Sequence, residues 1–252
     1  MRDDSVPVLG TRYWTALCAA SVFGANLGDF ASHVLHLGHW RGLLPLSLVL
    51  AALLVGERRS GRGGEAWYWA AILVLRAAAT NLADLATHDA HMAYSWAIAL
   101  LEALLVLLVL PVGGRGAATG RPSTGGWYWA AMLTAGTLGT AIGDCVADDF
   151  GLGTAIGTLV LGAVLAAVLA AGAAGGWRNK AAYWIAVVAV RSAGTTAGDF
   201  LVGHGAGLAL ATATSGGAFI GMLILWRPKT ALFARPAHPP PARRRLPIAP
   251  RG

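Results

Sequence analysis

The sequence predicts an all-α, polytopic membrane protein with eight transmembrane helices arranged as four two-helix repeats. Three observations carry the prediction. Hydrophobic residues make up 56% of the chain and charged residues 12%. Runs such as 154–174 carry no charge at all, and roughly 20 helical residues cross a hydrocarbon core of about 30 Å. Four times a tryptophan is followed fifteen residues later by an aspartate inside an apolar stretch: Trp14/Asp29, Trp69/Asp84, Trp129/Asp144 and Trp184/Asp199.

Taken in order, helices are expected near 13–36, 42–56, 66–88, 93–111, 127–147, 153–174, 181–203 and 206–226. Glycine-rich and charged segments break them, at 38–42, 57–65, 111–126, 151–153, 172–180 and 203–207. Residues 1–12 are mixed in charge, and the apolar segment that follows outruns the h-region of a signal peptide, so the first helix is expected to stay in the membrane. Sixteen of the nineteen Lys and Arg residues lie in the two termini and in the loops after the second, fourth and sixth helices. Cytoplasmic loops are enriched in these residues, so both termini are expected in the cytoplasm, with an even number of spans. Trp14, Trp67, Trp69, Trp127, Trp129, Trp177, Trp184 and Trp226 then fall at cytoplasmic helix ends, where headgroup belts are expected.

The formal charge of +7 is accounted for by Arg227, Lys229, Arg235, Arg243, Arg244, Arg245 and Arg251. Residues 227–252 are proline-rich without apolar periodicity and read as a disordered basic tail that meets anionic lipid. The rest of the chain is neutral, which removes the case for nucleic acid. Cys18 and Cys145 sit in different repeats, and neither a disulfide nor a two-cysteine metal site is expected.

The repeats span about 13–56, 66–111, 127–174 and 181–226, each expected as a hairpin entering from the cytoplasmic side. Parallel repeats relate by an axis along the membrane normal, so equivalent side chains share one depth. Seven residues after each tryptophan stand Ser21, Arg76, Gly136 and Arg191, an alternation that suggests pseudo-twofold organisation. Small residues four apart, Gly24/Gly28, Ala79/Ala83, Gly139/Gly143 and Gly194/Gly198, form a seam for close helix approach, with Thr80, Thr140, Thr195, Asn26 and Asn81 available to bond across it.

The Tyr-Trp start of each unit (Tyr13-Trp14, Tyr68-Trp69, Tyr128-Trp129, Tyr183-Trp184) and the Gly-Thr-x-x-Gly-Asp end resemble a bacterial family of uncharacterised membrane-anchored repeat proteins. Unit one departs with Ala25 for threonine, and unit two with Ala79 and Ala83 for glycine. The resemblance covers 13 to about 226 and implies a multi-pass protein of a bacterial inner membrane without assigning an activity.

An ionisable group in hydrocarbon costs at least about 2.5–3.5 kcal/mol, so Asp29, Asp84, Asp144 and Asp199 are the leading candidates for an ion site. They lie about 22 Å along the helix from their tryptophans, towards the outer face. Beyond them, His33 and His36, and His88 and His91, repeat the spacing Asp-x-x-x-His-x-x-His, which puts ligand-type groups on one helical stripe. Asp148 takes the four-residue step in unit three, and His39 adds an imidazole. Carboxylate and imidazole without thiolate suit a divalent metal as cargo, or proton chemistry, and interfacial histidine accounts for the same residues. No cofactor is called for. Arg76 and Glu102 fall at similar depth and are expected to pair, leaving Arg191 to find another carboxylate or water. Either arginine is a candidate for neutralising the aspartates until a cation or proton arrives, and a static ion-pair network that locks the hairpins together accounts for the same residues.

No phosphate-binding loop, G-x-S-x-G or H-E-x-x-H occurs, so an enzyme is not expected. The reading is a cation transporter, divalent or proton-coupled, with a membrane-embedded sensor or scaffold as the alternative. One chain or a homo-oligomer enclosing the pathway fits equally.

Overall fold

The computed structural model describes residues 6–60, 65–111, 122–175, 177, 179–205 and 207–226. Residues 1–5, 61–64, 112–121 and the basic tail from 227 lie outside the described residues, with part of the loops expected at 57–65 and 111–126. Within them the chain is all-helical, with eight α-helices and no strand: α1 (Thr11–Asp29), α2 (Gly38–Ser60), α3 (Glu65–Asp84), α4 (Tyr94–Val109), α5 (Gly126–Asp144), α6 (Gly153–Ala174), α7 (Lys180–His204) and α8 (Leu208–Leu225). Six of these segments are long and apolar enough to cross a membrane, and α4 is a shorter apolar helix.

The odd-numbered helices form a closed ring in the order α1, α3, α5, α7. The even-numbered ones pack outside it, with apolar faces such as Leu44, Leu48, Leu100, Leu104, Leu159 and Ile220 exposed. Their placement corrects the hairpin expectation. The second helix of each unit leans on the first helix of the next unit: α2 on α3, α4 on α5, α6 on α7, and α8 back on α1. The cause lies in the connections. Seven residues beyond Asp29, Asp84 and Asp144 the chain turns through a left-handed residue, His36 (φ 54°), His91 (φ 54°) and Gly151 (φ 64°), and is carried sideways to the neighbouring repeat.

Close approach within the ring follows from glycines that face the next helix. A Cβ on Gly24 would lie 2.5 Å from Arg76 Cγ, one on Gly139 would collide with Arg191 Cβ, and one on Gly194 with the Ser21 hydroxyl. Unit two has Ala79 at this position because its neighbour is Gly136, which has no side chain to meet it. The departure from the glycine pattern is thus a size compensation across one helix pair.

The repeat tryptophans are not a headgroup belt. Trp14, Trp69, Trp129 and Trp184 are all buried. Each stands edge-on to its own tyrosine with ring centroids 5.0–5.2 Å apart, a favoured aromatic geometry that also fills the ring's core. Trp127 and Trp226, by contrast, are exposed.

Candidate functional site: a layered polar axis

Every fourth residue of the ring helices faces the axis, so the repeats stack equivalent side chains in layers about 6 Å apart. The first layer is Tyr13, Tyr68, Tyr128 and Tyr183. All four are buried, and their hydroxyls close a cyclic hydrogen-bonded ring, Tyr13–Tyr68 2.9 Å, Tyr68–Tyr128 2.7 Å, Tyr128–Tyr183 2.9 Å and Tyr183–Tyr13 2.7 Å. The next layer, Leu17, Ile72, Met132 and Val187, is apolar. Ser21, Arg76, Gly136 and Arg191 follow, then Ala25, Thr80, Thr140 and Thr195, then the four aspartates.

Arg76 and Arg191, at equivalent positions and each 1% exposed, are satisfied very differently. Arg76 reaches towards the aspartates. It donates to Thr80 at 2.9 Å, Thr140 at 2.7 Å, Thr195 at 2.7 Å and Ser21 at 3.3 Å, so all four repeats hold one guanidinium. Arg191 turns the other way, towards the tyrosine ring. Its Nη2 donates to the Met132 sulfur at 3.5 Å, while Nε and Nη1 are buried without a partner.

The expected Arg76–Glu102 pair does not form. Glu102 is exposed on α4, and α4 packs against α5, so the helix thought to bring the carboxylate alongside Arg76 lies one position further round. Arg191 likewise has a thioether where a carboxylate or water was expected.

At the far end Asp29, Asp84, Asp144 and Asp199 converge on one cavity of ≈ 500 Å³, lined also by His33, His39, His88, Asp148 and Thr154. Three of the carboxylates stand where the helix widens into a single π-helical turn, Phe30–Val34, Leu85–Asp89 and Cys145–Asp149, marked by bonds such as Leu35 N–H to Phe30 O at 3.1 Å. Such insertions re-aim side chains and recur at functional sites. Unit four lacks one, and α7 continues to His204.

Around the rim, ionisable groups touch across repeats. His39, from the first turn of α2, lies 3.8 Å from Asp84 and 3.1 Å from Asp89. His88 lies 3.6 Å from Asp84, its Nε2 is 3.3 Å from the Tyr94 hydroxyl, and Tyr94 donates to Asp148 at 3.5 Å. His33 bonds its own helix at Asp29 O, 3.1 Å, with its ring 5.4 Å from that of His39. His36 and His91 are absent from the lining. They occupy the left-handed connections and are exposed, because the helix ends before a seventh residue can share the stripe. Among the described residues no group of three His, Cys, Asp or Glu is arranged to hold a metal ion. One carboxylate oxygen of Asp144 is buried without a partner.

Sequence reasoning read the threonines as helix glue and the tyrosines as part of a motif; their convergence on the axis went unread. The signal was present as a four-residue step running Tyr, apolar, Ser/Arg/Gly, Ala/Thr and Asp in all four units.

Fold and axis together define a helical repeat protein with membrane-compatible helices and a polar core. The profile of the Repeat of Unknown Function (DUF347) family matches residues 12–62, 127–174 and 182–228, more than half of the chain, and the chain belongs to that family. No curated protein and no solved structure matches it.

Proposed function

We propose that the protein is a multi-pass membrane transporter of cations, with the aspartate cavity as its binding vestibule and Arg76 as the resident positive charge that a cargo ion or proton displaces. The observation that carries this reading is the convergence of four equivalent carboxylates on one cavity, one layer above a fully buried guanidinium. Four carboxylates around a shared space repel one another and favour taking up positive charge, and Arg76 supplies part of it from below. The imidazoles of His39 and His88 at the rim suit proton hand-over or contact with a borderline divalent ion. In this reading all eight helices span the membrane as four parallel repeats with pseudo-twofold character. Both termini lie in the cytoplasm of a bacterial cell, the vestibule faces outward, and the basic tail meets anionic lipid.

The test is calorimetry on purified protein with a panel of divalent cations and across pH, comparing wild type with Asp84→Asn/Asp199→Asn, followed by flux in proteoliposomes. Stoichiometric binding or proton uptake that the double variant loses, together with flux, supports the transporter. A sensor or scaffold is the second reading, and the closed tyrosine ring favours it because it seals the axis at the end opposite the vestibule. It predicts binding without flux.

A further inference from the structure

We propose that the threonine layer is a single cation seat contested by Arg76 and Arg191, and that exchange of the two arginines is the two-state element of the axis. The inference needs no assumption about what the vestibule binds. Both arginines leave the same layer from equivalent positions, yet only the Arg76 guanidinium is bonded among Thr80, Thr140 and Thr195. In this structure Arg76 occupies the seat, and Arg191 is pushed towards the tyrosines with two nitrogens unpartnered.

The internal repeat explains which arginine wins. Arg76 bonds the threonine one turn along its own helix (Thr80), that of the following repeat (Thr140), that of the opposite repeat (Thr195), and the serine of the preceding repeat (Ser21). Carried over to Arg191 by the same relations, the partners become Thr195, Ala25, Thr80 and Gly136. Two hydroxyls remain and two are missing. Arg76 therefore holds the seat by the hydrogen bonds of Ser21 and Thr140, and these two residues set the bias. The alternative state, with Arg191 seated, keeps two hydroxyl partners for a guanidinium that now has only a sulfur. A buried charge gains most from such an exchange, since its unmet N–H groups have no water to turn to.

The decisive experiment is a double-mutant cycle read as thermal midpoints of the purified protein. In the parent chain, Thr80→Ala and Arg191→Met are expected to be close to additive, because the Thr80 hydroxyl is bonded to Arg76 whereas Arg191 donates to Met132. In an Arg76→Met background, Arg191 moves into the empty seat and the same two substitutions become non-additive. Additivity in both backgrounds overturns the proposal. Arg76→Met replaces a buried charge by an apolar chain of similar length, a change that cores tolerate. A second measurement is the crystal structure of a mirror variant, Ser21→Gly, Ala25→Thr, Ala79→Gly, Gly136→Ser, Thr140→Ala and Gly194→Ala, which moves the bias to the other half while keeping each small residue opposite its partner. Arg191 in the seat with Arg76 facing the tyrosines is the expected result. Arg76 still seated refutes the assignment of the bias to Ser21 and Thr140.

Discussion

Removing one hydroxyl from the tyrosine ring is expected to cost more stability than removing all four. Tyr13→Phe deletes the bonds to Tyr68 and Tyr183, of 2.9 and 2.7 Å. In a ring where every hydroxyl donates once and accepts once, one neighbour loses its donor and the other loses its acceptor. The second is left with a buried O–H pointing at an aromatic edge, at about 1–3 kcal/mol, and the other lost bond adds roughly 1 kcal/mol, so the single variant should lose about 2–4 kcal/mol. With all four changed to phenylalanine no hydroxyl is stranded, and replacing both partners of a buried bond by apolar groups of the same shape is nearly neutral. The edge-on tryptophan contacts survive in either case. Thermal unfolding followed by tryptophan fluorescence reads the difference, because each repeat tryptophan sits against one of these rings. The series should be run in the parent and in Arg191→Met, so that the pull of the tyrosine oxygens on the buried guanidinium is separated from the bonds of the ring. A loss of stability that grows with each hydroxyl removed, in both backgrounds, would refute the closed-ring reasoning.

Three further outcomes follow from the packing. Gly24→Ala places a methyl 2.5 Å from Arg76 Cγ and should destabilise by about 1–3 kcal/mol in chemical denaturation, whereas Ala79→Gly at the equivalent position should cost no more than about 1 kcal/mol. Thr140→Ala removes one of the four hydroxyls from the Arg76 guanidinium, and about 1.5–3 kcal/mol should be lost; Arg76→Met should abolish that loss. Glu102→Gln should leave both stability and cation binding unchanged within about 0.5 kcal/mol, because the carboxylate is exposed on α4 away from the axis; a clear loss in calorimetry would restore it to the site.

The helices themselves were legible, since apolar runs bounded by glycine and charge mark them to within a few residues, α2 excepted. Which side of each helix faces the core was harder to read, for a physical reason. In these helices exposed faces are apolar as well as packed ones, so hydrophobic periodicity does not tell the two apart. The informative residues were the small and polar ones, and the seam of Gly24, Gly139 and Gly194 does lie where the ring helices meet. Arg76 shows how a sound cost argument can pick the wrong partner: a buried guanidinium needs acceptors, but four hydroxyls from four repeats supply them as well as one carboxylate, and only the packing order of the helices decides between them. The repeat tryptophans were misread because an amphipathic ring suits a headgroup layer and a tyrosine edge equally well. His36 and His91 were misplaced because the spacing argument assumes a helix that continues, and the chain leaves the helix at those residues.

The order of charge along the axis bears on mechanism. From the aspartate end a cation meets four carboxylates, then a guanidinium held by hydroxyls, then a second guanidinium in an apolar surround, then a ring of hydroxyls with every proton engaged. In a low-dielectric core two fixed positive charges in succession form a steep barrier to another cation, so a continuous pore along this axis is the architecture least compatible with the site. Cation movement, if it follows the axis, requires Arg76 to leave the threonines and the tyrosine ring to part, which couples both ends of the bundle through one layer. If the proposed transporter reading holds, that coupling puts the step from binding to movement at the two arginines. On the proposed transporter reading, substitutions in that layer should therefore change flux, and removing the Arg76 charge should tighten cation binding at the aspartates rather than abolish it.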